Sequence, residues 1–179
     1  MRESKDFLRE RRETGFSLIE LLIVVTVILI IAAVAIPNYL RSRLMANEAS
    51  ASQSMRAIST SEVSYATTYG TGYAPALTNL GGVTPCTASA ATACLIDPFL
   101  GAGTKSGYSF KALPNTGAGT TTNPFTGVEV TGNPLSVGTS GQRSFCSDQS
   151  GVIRFDPAGA VMGTGAGACG AIPAAQVLQ

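Results

Sequence analysis

Residues 15–41 read GFSLIELLIVVTVILIIAAVAIPNYLR. No charged residue occurs between Glu20 and Arg41. As a helix rising about 1.5 Å per residue, that run is about 30 Å long, the hydrocarbon thickness of a bilayer. It is apolar all round, whereas a helix packed on a soluble core usually keeps a polar face. The reading is a transmembrane helix. A secretory signal that is cut away fits less well, because its apolar part covers only about 7–15 residues and a small-residue cleavage site follows it. Here the distinctive junction lies in front of the apolar run, where Arg11-Arg12-Glu13-Thr14-Gly15 gives way to Phe16-Ser17-Leu18-Ile19-Glu20.

Upstream of this junction the chain is dense in charge. Arg2, Glu3, Lys5, Asp6, Arg9, Glu10, Arg11, Arg12 and Glu13 crowd the first 13 positions, while the whole chain of 179 residues carries 12 Lys+Arg and 11 Asp+Glu. A net charge of +1 does not make an electrostatic nucleic-acid binder, so a DNA partner finds no support in the charge. The absence of His excludes Ser-His-Asp and Cys-His nucleophile pairs and every His-ligated metal. No cofactor is expected, and nothing recommends an enzyme. Five Lys/Arg before the span outnumber Arg41 and Arg43 just after it, which places the leader in the cytoplasm.

Downstream, helix signals continue. Leu44, Ala51, Met55, Ile58, Tyr65 and Tyr69 recur at spacings of three, four and seven, and Glu48 and Glu62 fall into the same series. This predicts an amphipathic helix over 41–69 lying on something globular. Between Phe16 and Tyr69 there is no Gly and a single Pro, Pro37, which should bend or loosen one long helix; a helix–break–helix arrangement is the alternative. Tyr65, Tyr69 and Tyr73, spaced by four, read as packing between helix and sheet.

The remainder is rich in Gly, Pro and Thr. Residues 70–106 read as a connecting loop, and short strands are expected at 107–113, 126–132, 143–148 and 151–156. Asp148-Gln149-Ser150-Gly151 joins the last two as a hairpin. An antiparallel sheet of three to four strands over 107–156 then needs a cover for Phe110, Val128, Val130, Phe145, Ile153 and Phe155, and the amphipathic half helix supplies it. Residues 157–179 form a Gly/Ala-rich tail. The fold class is α+β. Cys86, Cys94, Cys146 and Cys169 all follow the membrane segment, an even number on the exported side that suggests two disulfides. Of three connectivities we favour Cys86–Cys94 and Cys146–Cys169, the second pinning the tail to the sheet. The segments 101–106 and 163–167 lack the spacing of phosphate loops, and no C-x₂₋₄-C knuckle offers a zinc site.

Glu20 demands an account, since a carboxylate at membrane depth costs about 2.5–3.5 kcal/mol on the mildest scale. If the chain is cut after Gly15, the new amine on Phe16 is a positive group at the same depth. A contact between Glu20 and the Phe16 amine of a neighbouring chain would set the stagger of a helix bundle. The plainer alternative is an interfacial glutamate that reaches the headgroups.

Gly15-Phe16-Ser17-Leu18-Ile19-Glu20 and the apolar run behind it resemble the prepilin signature of type IV pilins, shared with the pseudopilins of type II secretion. Pro37-Asn38-Tyr39-Leu40, Asn47-Glu48-Ala49-Ser50-Ala51 and the stretches 143–146 and 151–154 are similar to major-pilin-like proteins. The resemblance implies the type IV pilin fold, with a leader of 1–15 removed by a prepilin peptidase between Gly15 and Phe16. It further implies N-methylation of Phe16, an assembly role for Glu20 with Phe16, and 16–40 as the transmembrane and filament-core half helix. An inner-membrane precursor would be lifted by an assembly platform and ATPase into a homo-oligomeric helical filament outside the cell, serving motility, adhesion or DNA uptake. A pseudopilin or minor pilin is the alternative. Pseudopilins often carry a carboxylate cluster for calcium near the C-terminus, and no acid follows Asp156 here. A membrane-anchored binding or enzymatic module is the third reading.

Overall fold

The computed structural model describes residues 15–83, 85–163, 165, 167–173 and 176–178. The charged leader, apart from Gly15, lies outside them. Two compact units divide the chain after Tyr39.

In the first unit helix α1 (Leu18–Tyr69, 52 residues) begins. Its apolar window has a mean hydropathy of 3.1 with 0% of it buried, so by length and composition it can cross a membrane. Leu18, Ile19, Ile30 and Val34 all lie open. The one hydroxyl in this stretch, on Thr26, donates back to the Ile23 carbonyl at 2.8 Å and so needs no outside partner. Pro37 sits within α1.

The second unit carries the rest of α1 from Leu40 and a five-stranded antiparallel meander. Its strands are β1 (Thr104–Lys105), β2 (Tyr108–Thr116), β3 (Gly127–Pro134), β4 (Ser144–Asp148) and β5 (Ile153–Asp156). The α+β layout expected from the sequence is therefore present, and four strands overlap the four segments read as strands. β1 is additional. It hangs on a two-residue turn, Ser106-Gly107, in which both residues have positive φ (49° and 76°), the geometry that matches the twist of a hairpin. Two residues are too few to show an alternation, so 70–106 reads as loop. That stretch also holds two single-turn helices, α2 (Leu77–Leu80) and α3 (Pro98–Gly101). The Asp97 carboxylate caps α3, accepting from the Leu100 N–H at 2.9 Å and from the Lys105 ammonium at 2.8 Å.

The register brings the apolar side chains into rows. Phe110, Gly132, Phe145 and Phe155 are successive cross-strand neighbours, as are Ala112, Val130, Ser147 and Ile153. Ala51, Met55, Ile58 and Tyr65 of α1 belong to the same core as these rows, which places the predicted helical series against the predicted sheet face. The opposite sheet face is polar yet also covered. The C-terminal segment is tied to it by the Cys146–Cys169 disulfide and by a reciprocal pair in which the Asn133 amide donates to the Met162 carbonyl and the Met162 N–H donates to Asn133 Oδ1. Leu178 N–H donates to Ile153 at the β5 edge. β3 is thus buried on both faces.

Glu48 joins α1 to the loop before β4. One oxygen accepts from the Gln142 and Arg143 N–H groups at 2.8 and 3.2 Å, the other from Arg143 Nε at 2.8 Å. The Arg143 guanidinium lies over Phe145 and Phe155, 5.7 and 5.2 Å from the ring centres. Truncating Glu48 leaves two amides and a half-buried guanidinium without an acceptor. Glu48→Ala should therefore lower stability by about 3 kcal/mol and Glu48→Gln by less, measured by urea unfolding in detergent.

Candidate functional site

The sequence places the candidate chemistry where the charged leader meets α1. Gly15, Phe16 and Ser17 lie outside any helix or strand, and α1 starts at Leu18. Phe16 is 74% exposed. Among the described residues nothing approaches within 4 Å of the position a Gly15 Cβ would occupy. The chain's own packing therefore places no demand for glycine at this position.

Glu20 is the acid in the first turn of α1. Its Oε2 accepts the Ser17 N–H at 2.9 Å, while the Leu21 N–H donates to the Ser17 carbonyl at 3.2 Å. A glutamate three residues after a serine reaches back to an N–H that the helix itself cannot satisfy, and a negative charge at this end also suits the helix dipole. This helix-capping role of Glu20 is distinct from the expected pairing with a Phe16 amine. The signal was present as Ser17-x-x-Glu20 directly before an apolar run. With the leader attached Phe16 carries an amide, and no contact between Phe16 and Glu20 occurs among the described residues.

The four cysteines form two disulfides. Cys86 and Cys94 close a short loop with Cα atoms 6.1 Å apart, and Cys146 on β4 joins Cys169 in the tail at 5.7 Å. Of the segments rejected as phosphate loops, 101–106 ends in β1, where Lys105 is occupied by Asp97. Part of 163–167 lies outside the described residues. Tyr65 and Tyr69 pack ring to ring at 4.7 Å, and Tyr69 and Tyr73 lie against the core. Glu62, present in the helical series, is buried with no charged partner among the described residues. Burial raises its pKa to about 7 against the opposing hydrogen bond from Ala74. Its helical spacing marks it as inward-facing, but the loop that covers it is not evident from spacing.

A family model described as the prokaryotic N-terminal methylation motif matches residues 11–36, which hold Gly15, Phe16, Glu20 and most of the apolar run. The chain carries a prokaryotic N-terminal methylation motif. A protein named type IV major pilin protein PilA, from Myxococcus xanthus, is 41% identical over 54 residues, 30% of this chain and 24% of that protein. The match thus spans about a quarter of the length of that relative. No solved structure matches the chain.

The cross-links give a direct check. Unreduced protein should take up no iodoacetamide, and reduction in denaturant should open four thiols. Cys169→Ser, with Cys146→Ser to avoid a free thiol, should destabilise the soluble unit by about 3 kcal/mol, read as a shift in the urea midpoint.

Proposed function

We propose that this chain is a structural subunit of a type IV pilus, held first in the inner membrane and then assembled into a helical surface filament. The observation that carries the proposal is the uncovered apolar stretch of α1, which starts directly behind the Gly15–Phe16 junction and has its one acid, Glu20, in the first turn. The methylation motif over that same stretch and the likeness to a major pilin support it. The role is structural and not catalytic.

The physical sequence is as follows. A prepilin peptidase hydrolyses the bond between Gly15 and Phe16 on the cytoplasmic side. The open surroundings of Gly15 support a glycine requirement set by the peptidase. Phe16 gains an amine and is methylated. As long as the leader is present, Glu20 serves only its own helix end through Ser17. Once the amine exists, a second acceptor oxygen on Glu20 is open to the Phe16 amine of a neighbouring subunit, and that pairing fixes the axial stagger. An ATPase-driven assembly platform withdraws the helix from lipid. The apolar side chains then exchange lipid contacts for contacts with other copies of α1, so the net change in apolar exposure is small and packing and pairing decide the geometry. Contacts of this head-to-tail kind do not close, and a filament results.

Intact-mass measurement of fibres sheared from cells tests the proposal. The expected species starts at Phe16, carries one added methyl and retains two disulfides. Gly15→Ser should leave the leader attached, and Glu20→Val should remain membrane-inserted without forming ordered fibres. Processed protein confined to the envelope, with none in the sheared fraction, would point to a pseudopilin or minor subunit. An intact leader in wild-type cells would overturn the reading at its first step.

A further inference from the structure

Glu62 sits on the core-facing side of α1 with 0% of its surface exposed. Its Oε2 accepts the Ala74 N–H at 2.7 Å, and its Oε1 has no hydrogen-bond partner. Neither ion pair among the described residues includes it. The titratable group that interacts with it is the Tyr65 phenol on α1 itself; Tyr69, ring to ring with Tyr65, and Tyr73 on the segment that follows pack against the same core. The Tyr65 hydroxyl is engaged elsewhere, donating to the Ala90 carbonyl at 2.7 Å. On the sheet, Lys111 and Glu129 alternate with Ala112, Val128 and Val130 and so belong to the face turned away from the helix. Among the described residues no cation pairs with Glu62.

What the carboxyl holds is a strap. Residues 70–76 leave α1 through Gly70 and Gly72, both at positive φ (68° and 84°). At one end Ala74 hangs on Glu62. In the middle the strap receives Phe125, at the β3 end of the β2–β3 connection: Phe125 N–H donates to the Thr71 carbonyl at 3.0 Å, and Tyr73 N–H donates to the Phe125 carbonyl at 3.1 Å. Gly72 meets the Phe125 backbone so closely that a Cβ there would collide with it. The exposed Thr-rich loop 117–126 is therefore docked on the chain only one step removed from the Glu62 carboxyl.

We infer that Glu62 is a proton-operated latch: neutral, it holds the 70–76 strap and the docked 117–126 loop closed, and its ionisation lets them open. A neutral acid is buried at modest cost, whereas an unpaired carboxylate in the same place carries the full desolvation penalty. Burial dominates here, raising the pKa from 4.5 to about 7 against the lowering effect of the Ala74 hydrogen bond. The sign follows from linkage. The closed state binds the proton more tightly than the open one, so closure is strongest below the ordinary carboxyl pKa. It is lost progressively as pH rises towards about 7, and levels off once both states are ionised.

Hydrogen exchange on the full chain in detergent, corrected for the intrinsic pH dependence of exchange, reads this directly. Opening at Tyr73, Ala74 and Phe125 should become about tenfold more frequent per pH unit between pH 5 and 6.5, while amides of the β3–β4 ladder keep their protection. Glu62→Gln retains the acceptor for Ala74 and removes the titration, so its exchange should not depend on pH. A flat wild-type profile, or an unchanged slope in Glu62→Gln, overturns the latch. Should that variant fold poorly, carboxyl ¹³C titration of Glu62 in the wild-type chain decides. A midpoint near 7 supports the latch, and one near 4.5 refutes it. None of these readouts depends on filament formation.

Discussion

An apolar helical stretch with nothing of its own chain upon it must be covered by something else. That constraint organises this molecule. No residue of the most apolar part of α1 is buried, and its one hydroxyl is satisfied internally, so the stretch is equally at home in lipid or among copies of itself. From Leu44 onward the same helix changes its sequence rule. One side carries Ala51, Met55, Ile58 and Tyr65, and the sheet of the second unit supplies their cover. A single element thus meets two solvents, and the change in composition after Pro37 is where one rule replaces the other.

Three glutamates of α1 show how the chain handles a carboxylate in poor surroundings. Glu20 satisfies a free N–H at the helix start and benefits from the dipole there. Glu48 is nearly buried but receives two amides and a guanidinium, and so ties the helix to the loop before β4. Glu62 has one amide and no cation, and burial acts on it unopposed by charge. The residue type is the same in each case. What differs is the number of donors that the fold brings to it, and that number decides whether the group serves as a cap, an anchor or a proton carrier.

The same comparison explains what the sequence made legible. Periodicity reveals which side of α1 faces inward, and β-branched and aromatic runs bounded by Gly reveal β2 to β5, because those patterns are repeated over several residues. β1, α2 and α3 are too short for any period, and they exist because turns and caps close around them: Ser106-Gly107 for β1, Asp97 for α3. The methylation motif is legible because its residues lie in one contiguous stretch. The partners of Glu48 and Glu62 are 94 and 12 residues away, so their roles depend on how the loops fold back.

The C-terminal segment makes the last case. Its Gly/Ala-rich composition offers little apolar area, and the sheet face beneath it bears Glu129, Thr131 and Ser144, whose side-chain oxygens, like Arg154 Nε, have no hydrogen-bond partner among the described residues. Such a face does not attract a cover by the hydrophobic effect, and each unpaired group opposes burial by about 1–3 kcal/mol. Specific attachments must therefore hold the segment in place: the Cys146–Cys169 cross-link, the Asn133–Met162 amide pair, Arg154 donating to the Ile172 carbonyl and the Leu178 N–H at the β5 edge. A disulfide is effective here because it acts mainly by restricting the unfolded chain, which a segment of this composition needs most. On the helix side of the sheet, packing selects the fold and the bonds follow; on this side the bonds come first and the packing is what they impose.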